Sequence, residues 1–153
     1  MEKLHFDENF DGVLYLEDED FDKDGKLISQ PEDNEKSHIV MVFANWCGPC
    51  KATKPVYGQL TGKNGVDQSK VRVACINCSS VTEGPYKNRP GELSLTMNEK
   101  RMSKVVPGLQ GFPTIVLFDK KGNIVRNEKG EVKMYRGNRT VEDLVKFAHS
   151  ASE

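Results

Sequence analysis

Short apolar runs alternate with longer amphipathic stretches along this chain, and the two patterns predict different elements. The run at 39–43 is unbroken and rich in β-branched and aromatic residues, which is typical of a strand buried on both faces of a sheet. We predict strands at residues 13–16, 38–43, 71–76, 114–119 and 131–136. The spacing of the apolar positions elsewhere predicts helices from 47 to about 61 and from 140 to about 150, with further helices near Phe21 and around 95–105.

The order of these elements predicts an α/β domain, in which helices cover both faces of a central sheet. The polar residues and glycine at 119–123 predict the turn between the last two strands. The polar stretch 79–104 is longer than one connection in a compact domain needs, so we interpret it as an insertion. It either shapes the choice of partner or is a solvated segment with no role. We expect a single domain at 13–150, between tails at 1–12 and 151–153.

Two cysteines, Cys47 and Cys50, stand where the second predicted strand gives way to a helix. At this spacing two thiols can form and break one disulfide. Cys47 is placed at the helix N-terminus, where unpaired backbone N–H groups and the helix dipole stabilise a thiolate. In such motifs the pKa of the first cysteine falls from about 8.5 to roughly 3.5–7.5, and its thiolate is the nucleophile. We expect Cys50, a turn further in, to keep its proton until it attacks the mixed disulfide.

The residues next to the two cysteines fit the same chemistry. Pro49 occupies a helix position where a missing N–H costs nothing, and its ring stiffens the turn. Lys51 either favours the thiolate of the first cysteine electrostatically or is a solvated surface lysine. The whole segment is Trp46-Cys47-Gly48-Pro49-Cys50-Lys51. Thiol–disulfide exchange is therefore the function that these residues favour.

This segment resembles the active site of the thioredoxin superfamily, and four further features extend the resemblance. Residues 13–16, followed by acidic residues and Phe21, resemble the family's first strand and the helix entry after it. Pro55 matches the proline that kinks the active-site helix, and 111–115 is similar to the segment that carries the family's cis-proline. Residues 135–144 are similar to the family's last strand and helix, with a residue pattern closer to that of protein disulfide isomerase domains.

The resemblance implies a thioredoxin-like α/β fold with a central mixed β-sheet and helices on both faces. It makes Cys47 the nucleophile and Cys50 the resolving cysteine. It also implies that Trp46 packs beside them and forms part of a docking surface, although a purely structural aromatic residue is the alternative. The peptide bond before Pro113 is then cis, which turns the backbone of Phe112 outward so that a substrate peptide can pair with it as an added strand.

Two positions depart from the family pattern. Met41 stands where family members carry a buried aspartate or glutamate beneath the second cysteine, and Cys75 stands where they often carry a lysine partner for that acid. An apolar neighbour raises the pKa of a thiol by desolvation, and the usual proton acceptor for Cys50 is missing. We therefore expect resolution of the mixed disulfide to be slower than in thioredoxins that have the acid.

Two other motifs allow metal chemistry. Cys75 and Cys78 form a second Cys-x-x-Cys, but the distance from the first pair is longer than four-cysteine zinc sites usually have. Both are otherwise interpreted as buried thiols, or Cys75 forms an alternative disulfide with Cys50. Residues 20–25 fit the first half of a calcium-binding loop, but Pro31 stands where the closing glutamate belongs, which favours a solvated acidic turn.

Composition and charge limit the classes of partner and the location that we expect for this chain. The chain has 153 residues, is 37% hydrophobic and 29% charged, and carries a net charge of −1. This composition suits one soluble domain and argues against nucleic acids and anionic membranes as partners. No apolar run approaches the roughly 20 residues of a membrane span, and residues 1–9 lack the apolar core of a signal peptide. We therefore expect a cytoplasmic location, where an exposed Cys-x-x-Cys pair is catalytic rather than structural.

The resulting hypothesis is a protein-disulfide reductase that acts as a monomer on disulfide-containing proteins. The direction rests on Pro49, because oxidising isomerase domains typically carry a histidine there that stabilises the reduced form. The resemblance implies no bound cofactor and no metal, with electrons supplied from NADPH through a thioredoxin reductase. The alternatives are an isomerase or oxidase, and a binding module that uses the cis-proline face to hold a partner without turnover.

Overall fold

A mixed sheet forms the centre of the protein. The computed structural model describes residues 11–44, 47–78 and 99–152, and these residues form a four-stranded sheet in the order β1-β3-β2-β4. β1 and β2 pair in parallel with β3, whereas β4 pairs antiparallel with β2. The strands are β1 (Leu14–Tyr15), β2 (Ser37–Phe43), β3 (Val71–Asn77) and β4 (Thr114–Phe118).

The two central strands form the middle of the core. Every residue of β2 is buried, and β3 is buried at every position except Arg72. Such burial explains why both strands contain uninterrupted apolar runs, at 39–43 in β2 and 73–76 in β3. In the register of the sheet, Met41 pairs with Cys75 on one side and with Ile115 on the other. The carboxyl ends of both strands lie at one edge of the sheet, and the chain leaves β2 there towards the cysteine pair.

Three α-helices accompany the sheet in the part of the chain that the structure describes. They are α1 (Gly48–Gly58), α2 (Glu99–Val105) and α3 (Val141–His149). α1 continues as a 3-10 turn at Gln59–Thr61, so the helix predicted from 47 to about 61 is present. The hydroxyl of Thr140 caps α3 by accepting a hydrogen bond from the Asp143 N–H at 3.2 Å. α1 and α3 contact each other, which brings the loop before α3 towards the active-site helix.

The prediction of a continuous strand at 131–136 is wrong. After β4 the chain turns at 119–123 as predicted, and the N–H of Val125 donates to the Leu117 carbonyl at 2.9 Å. A second tight turn follows, because the side-chain oxygen of Asn127 accepts hydrogen bonds from the N–H groups of residues 129 and 131. The chain returns to β4 only at Tyr135, whose N–H donates to the Ile115 carbonyl at 2.9 Å. The segment that pairs with β4 is therefore in two parts, at Val125 and at Tyr135, which are separated by an excursion of the chain.

The prediction of a helix near Phe21 is also wrong. The segment forms a 3-10 turn at Asp18–Asp20, and Phe21 then forms an antiparallel bridge with Leu27. Aspartate side chains account for the difference, since Asp22 accepts hydrogen bonds from the N–H groups of residues 24 and 26. Such local side-chain bonds compete with helix formation. The helix predicted around 95–105 is described only from Glu99 onward, and residues 79–98 of the predicted insertion lie outside the described residues.

Candidate active site

The thiol of Cys47 lies where the chain passes from the edge of the sheet into α1. Cys47 is the N-cap of this helix, and its Sγ accepts a hydrogen bond from the backbone N–H of Cys50 at 3.2 Å. The thiol in turn donates to the carbonyl oxygen of Phe112 at 3.5 Å. When the proton leaves, the N–H of Cys50 and the positive end of the helix dipole remain to stabilise the sulfur anion. This is the arrangement that nucleophilic sulfur chemistry requires.

Phe112 and Pro113 reach this site from a distant part of the chain. They directly precede β4, and because β4 runs antiparallel to β2, its first residue Thr114 pairs with Val42 near the carboxyl end of β2. The peptide bond between Phe112 and Pro113 is cis, as the resemblance implied. Topology thus places the Phe112 carbonyl beside Cys47, although the two residues are far apart in sequence.

Cys50 is fully buried in the first turn of α1. Burial, together with the adjacent Cys47, raises the pKa of Cys50 to about 12, whereas the backbone of Ala44 and the guanidinium of Arg139 lower it. At neutral pH the Cys50 thiol therefore keeps its proton. Cys47 at the N-cap is 6% exposed, so the two cysteines differ in burial and in their hydrogen-bond partners.

A sequence profile of the thioredoxin-like domain matches residues 23–144. The chain belongs to the thioredoxin-like domain family. The match confirms the resemblance seen in the sequence, and the mixed sheet with its helices confirms the predicted fold class.

Several relatives of this thioredoxin-like domain are named protein disulfide-isomerases. The protein disulfide-isomerase of Humicola insolens is 32% identical over 115 residues, covering 75% of this chain and 18% of that protein. Protein disulfide-isomerase TMX3 of Mus musculus is 30% identical over 123 residues, covering 79% of this chain and 21% of that protein. The chain thus spans about a fifth of the length of the curated relatives it matches.

Solved structures show the same fold. The first thioredoxin domain of mouse protein disulfide-isomerase A4 superposes with a TM-score of 0.54 at 24% identity, covering 96% of this chain and 79% of that domain. Human ERp44 superposes with a TM-score of 0.58 at 16% identity, covering 90% of this chain and 29% of that protein. These likenesses concern the thioredoxin-like architecture.

The other predicted contact residues of this thioredoxin-like domain lie around the thiol pair at the surface. Gly48, Pro49 and Lys51 are all exposed, in the first turn of α1. Trp46 lies outside the described residues.

Met41 and Cys75, the two positions that depart from the family pattern, are neighbours in the sheet. They are register partners on β2 and β3, and both are fully buried. Tyr57 of α1 packs against this part of the sheet, where its hydroxyl lies 2.9 Å from the Ile39 carbonyl and 2.6 Å from the Ala74 carbonyl. Burial and, secondarily, Cys75 raise the pKa of Tyr57.

Cys78, the second cysteine outside the active-site pair, follows β3 and is fully buried. Burial and then the charge of Cys50 raise the pKa of Cys78 to about 12. Its backbone N–H donates to the Phe43 carbonyl at 2.7 Å, one residue before the Ala44 backbone that interacts with Cys50. Cys75, which we considered as an alternative disulfide partner of Cys50, lies within β3 and pairs with Met41. No disulfide joins any of the four cysteines in the structure.

Sequence reasoning gave no role to Thr53 and Arg139. The Oγ1 of Thr53 accepts a hydrogen bond from the Arg139 guanidinium at 3.1 Å and donates to the Pro49 carbonyl at 2.9 Å. Spacing could have revealed Thr53, since a residue three positions after Cys50 lies on the same face of the helix. No local signal points to Arg139, because only the packing of α1 against α3 brings it to this helix.

The acidic segment at 20–25, for which the sequence favoured a solvated turn over a calcium loop, is held by hydrogen bonds within the protein. Asp20 accepts a hydrogen bond from the Glu17 N–H at 2.7 Å, and the carboxylate of Asp22 binds its own loop backbone. The guanidinium of Arg101 donates to the carbonyl oxygens of Phe21 and Asp22 at 2.7 and 2.6 Å.

Among the described residues, no group of three or more His, Cys, Asp or Glu side chains is arranged to hold a metal ion. Within the same residues, no helix is long and apolar enough to span a bilayer.

Proposed function

We propose that this chain is a thiol–disulfide oxidoreductase domain in which Cys47 attacks and Cys50 resolves. The observation that carries the proposal is the position of the Cys47 sulfur, which lies at the start of α1 between the Cys50 N–H and the Phe112 carbonyl. The first contact stabilises a thiolate, and the second marks a backbone acceptor beside the nucleophile, where an extended substrate can pair.

The reaction proceeds in two exchanges. The Cys47 thiolate attacks one sulfur of a substrate disulfide, so that a mixed disulfide forms and the other substrate sulfur leaves as a thiolate. Cys50 then loses its proton and attacks the Cys47 sulfur, which forms the Cys47–Cys50 disulfide and releases the second substrate sulfur. The substrate gains two electrons and two protons, and the cysteine pair loses them.

The direction that we propose is reduction of protein disulfides. The residues between the cysteines support it, because Pro49 replaces the histidine that favours the reduced form in oxidising domains. Electrons are then supplied from NADPH through a thioredoxin reductase. The alternative is an isomerase or oxidase, which the names of the relatives and the apolar Met41 favour.

The reduction potential of the cysteine pair separates these directions. Equilibration of the purified chain with glutathione buffers, read by mass spectrometry after alkylation, gives the potential directly. A reductase is expected near −270 mV, as in thioredoxin, and an isomerase near −180 mV. A value near −180 mV would reject the reductase and favour the alternative.

Trapping tests the enzyme against a binding module that holds partners without turnover. The Cys50→Ser variant cannot resolve a mixed disulfide, so covalent adducts with disulfide-containing proteins should accumulate through Cys47. The matched control is Cys47→Ser, which keeps the Cys50 thiol but loses the nucleophile. Adducts in the first variant and none in the control support the enzyme, whereas no adducts in either would reject it.

A further inference from the structure

Three exposed cationic residues come from two segments that flank the cysteine pair. Lys51 lies in the first turn of α1, and its backbone N–H donates to the Cys47 carbonyl at 3.2 Å. Arg136 and Arg139 belong to the segment between the partner of β4 and α3. All three residues are exposed. We refer to Lys51, Arg136 and Arg139 as the cationic rim.

A hydrogen bond holds Arg139 beside the first turn of α1. Its Nη1 lies 3.1 Å from the Oγ1 of Thr53, and the same oxygen lies 2.9 Å from the Pro49 carbonyl. Thr53 is 1% exposed, so the guanidinium is anchored on a buried group while the arginine as a whole stays exposed. The charge therefore lies two hydrogen bonds away from Pro49, which stands between the two cysteines.

Sheet pairing brings Arg136 to the edge of the sheet where the cysteine pair lies. The N–H of Tyr135 donates to the Ile115 carbonyl at 2.9 Å, and the chain runs antiparallel to β4 here. The next residue, Arg136, therefore approaches the loop that precedes β4. In that loop the Phe112 carbonyl accepts a hydrogen bond from the Cys47 thiol at 3.5 Å.

The described segments around the nucleophile contain no aspartate or glutamate, although the whole chain has 23 acidic and 22 basic residues. These segments are residues 48–52, 111–113 and 136–140. The acidic residues that follow belong to α3, where Glu142 lies 3.7 Å from Lys146 and Asp143 is half-buried. The cationic rim thus gives this part of the surface a local excess of positive charge.

A surface of one sign of charge beside a reactive group favours partners of the opposite sign. Such charges raise the rate of association with a complementary partner and disfavour a partner of like charge. The backbone acceptor at Phe112 is a pairing site for an extended substrate segment. A segment seated there extends past the cationic rim, so its own charges decide how readily it binds.

We propose that the cationic rim selects protein disulfides that are flanked by acidic residues. This inference rests on the proposed function and names the class of substrate for the same site. The acidic side chains of the substrate lie against the rim while its disulfide meets Cys47. The rim acts on encounter and binding, and its three side chains neither gain nor lose a proton in the exchange.

The test is single-turnover reduction of cyclic disulfide peptides by the full, reduced chain. Three peptides share one sequence, except that the residues flanking both cysteines are glutamate, glutamine or lysine. The reaction is stopped with acid, and the reduced peptide is quantified by chromatography. Flanking charges also change the pKa of the peptide thiols, so each rate is divided by the rate of the same peptide with dithiothreitol.

At about 10 mM ionic strength, where the Debye length is about 30 Å, the wild type should reduce the glutamate peptide about tenfold faster than the glutamine peptide after this correction. The lysine peptide should be slower than the glutamine peptide. At 1 M salt the Debye length is about 3 Å, and the preference should fall to about twofold. Arg136→Gln/Arg139→Gln should lower the preference at low salt to about threefold.

The matched control is Lys120→Gln/Lys121→Gln, which removes the same charge from the turn at 119–123. β4 ends at Phe118, which pairs with His38 near the start of β2, so this turn lies at the opposite edge of the sheet. The control should keep the tenfold preference.

A second rim variant guards against misfolding, because Arg139 is bonded to a buried hydroxyl. Lys51→Gln/Arg136→Gln leaves that hydrogen bond in place and should lower the preference to a similar extent. Each preference is a ratio measured within one variant, so a change in the reactivity of Cys47 cancels.

Equal corrected rates for the three peptides in the wild type would overturn the proposal. A preference that persists in both rim variants, or that falls equally in the Lys120→Gln/Lys121→Gln control, would do the same. Equal peptide rates together with binding to phosphatidylserine vesicles, lost in the rim variants, would assign the rim to a membrane surface instead. A wild type that reduces none of the peptides would reject the proposed function itself.

Discussion

His38 and Arg72 lie directly opposite each other in the pairing of β2 with β3, and His38 is 1% exposed. The guanidinium of Arg72 lies 3.4 Å from the carboxylate of Asp33, which is fully buried, and Lys36 lies 3.5 Å from the same carboxylate. A histidine is thus enclosed beside two cations and one anion near the start of β2. This arrangement makes the stability of the fold sensitive to acid.

Acidification should destabilise the protein through His38. Burial, together with the nearby Arg72 and Lys36 cations, lowers the pKa of His38 to about 4, although its contact with the Lys36 backbone opposes the shift. Because the folded state disfavours the charged ring, this stability is fully present above the unfolded pKa of about 6.5 and is lost as the pH falls towards 4. The loss amounts to about 3 kcal/mol.

Urea unfolding at a series of pH values measures this loss. His38→Leu removes the titrating ring, so its free energy of unfolding should depend less on pH between 6.5 and 4. Burial raises the pKa of Asp33, which favours its neutral form in the fold and works in the opposite direction. Equal pH dependence in the wild type and His38→Leu would contradict the prediction.

A carboxylate in place of Met41 should destabilise the fold and accelerate the resolving exchange. Met41 is fully buried between β3 and β4, so Met41→Glu should lower the free energy of unfolding at neutral pH by about 2 kcal/mol or more. The same carboxylate can accept the proton of Cys50, so the resolving exchange should become faster. Met41→Leu is the matched control for packing. An unchanged or lower rate of dithiol-dependent disulfide reduction at neutral pH would count against this account.

The four cysteines should differ in their reaction with an alkylating reagent. Cys50, Cys75 and Cys78 are fully buried, whereas Cys47 is 6% exposed and lies beside the exposed first turn of α1. Brief treatment of the reduced, folded protein with iodoacetamide at neutral pH should therefore modify Cys47 alone. Mass spectrometry of the intact protein should find one adduct, and four after denaturation. Rapid modification of Cys78 in the folded protein would be incompatible with its burial.

Calcium should not bind to the acidic loop at residues 20–25. The carboxylates of Asp20 and Asp22 accept hydrogen bonds from nearby backbone N–H groups, and Arg101 already places a cation against the carbonyl oxygens of this loop, with Nε 2.7 Å from the Asp18 carboxylate. Titration calorimetry with calcium chloride is expected to give only heats of dilution. A saturable signal that disappears in Asp22→Asn would show that the loop releases its internal bonds to bind the ion.

The central elements could be predicted from sequence because burial leaves a strong apolar pattern. Apolar runs form most of β2, β3 and β4, and α1 and α3 carry apolar residues at helical spacing. The pattern fails at 131–136, where the hydrogen bonds of the Asn127 side chain and the positive φ of Gly130 create a turn that interrupts strand pairing. Local turn chemistry therefore outweighed strand propensity in that segment.

Only part of the candidate site can be recognised from the sequence. The motif identifies Cys47 and Cys50, and the resemblance supplies Phe112 and Pro113, but no spacing rule links residues so far apart. The bond between Arg139 and Thr53, and the response of Cys78 to Cys50, arise from packing of helix on helix and helix on sheet. Such contacts depend on the tertiary arrangement of the elements, which residue patterns within a single element do not encode.

The split partner of β4 has a practical consequence for engineering. The tip of the excursion at 127–130 is exposed, and its backbone hydrogen bonds close on the excursion itself. Val125 and Tyr135 meanwhile cover the outer edge of β4, which blocks that edge from pairing with a second molecule. An epitope or fluorophore-binding peptide inserted at this tip would leave the sheet edge closed and lie outside the contacts made by the cysteine pair.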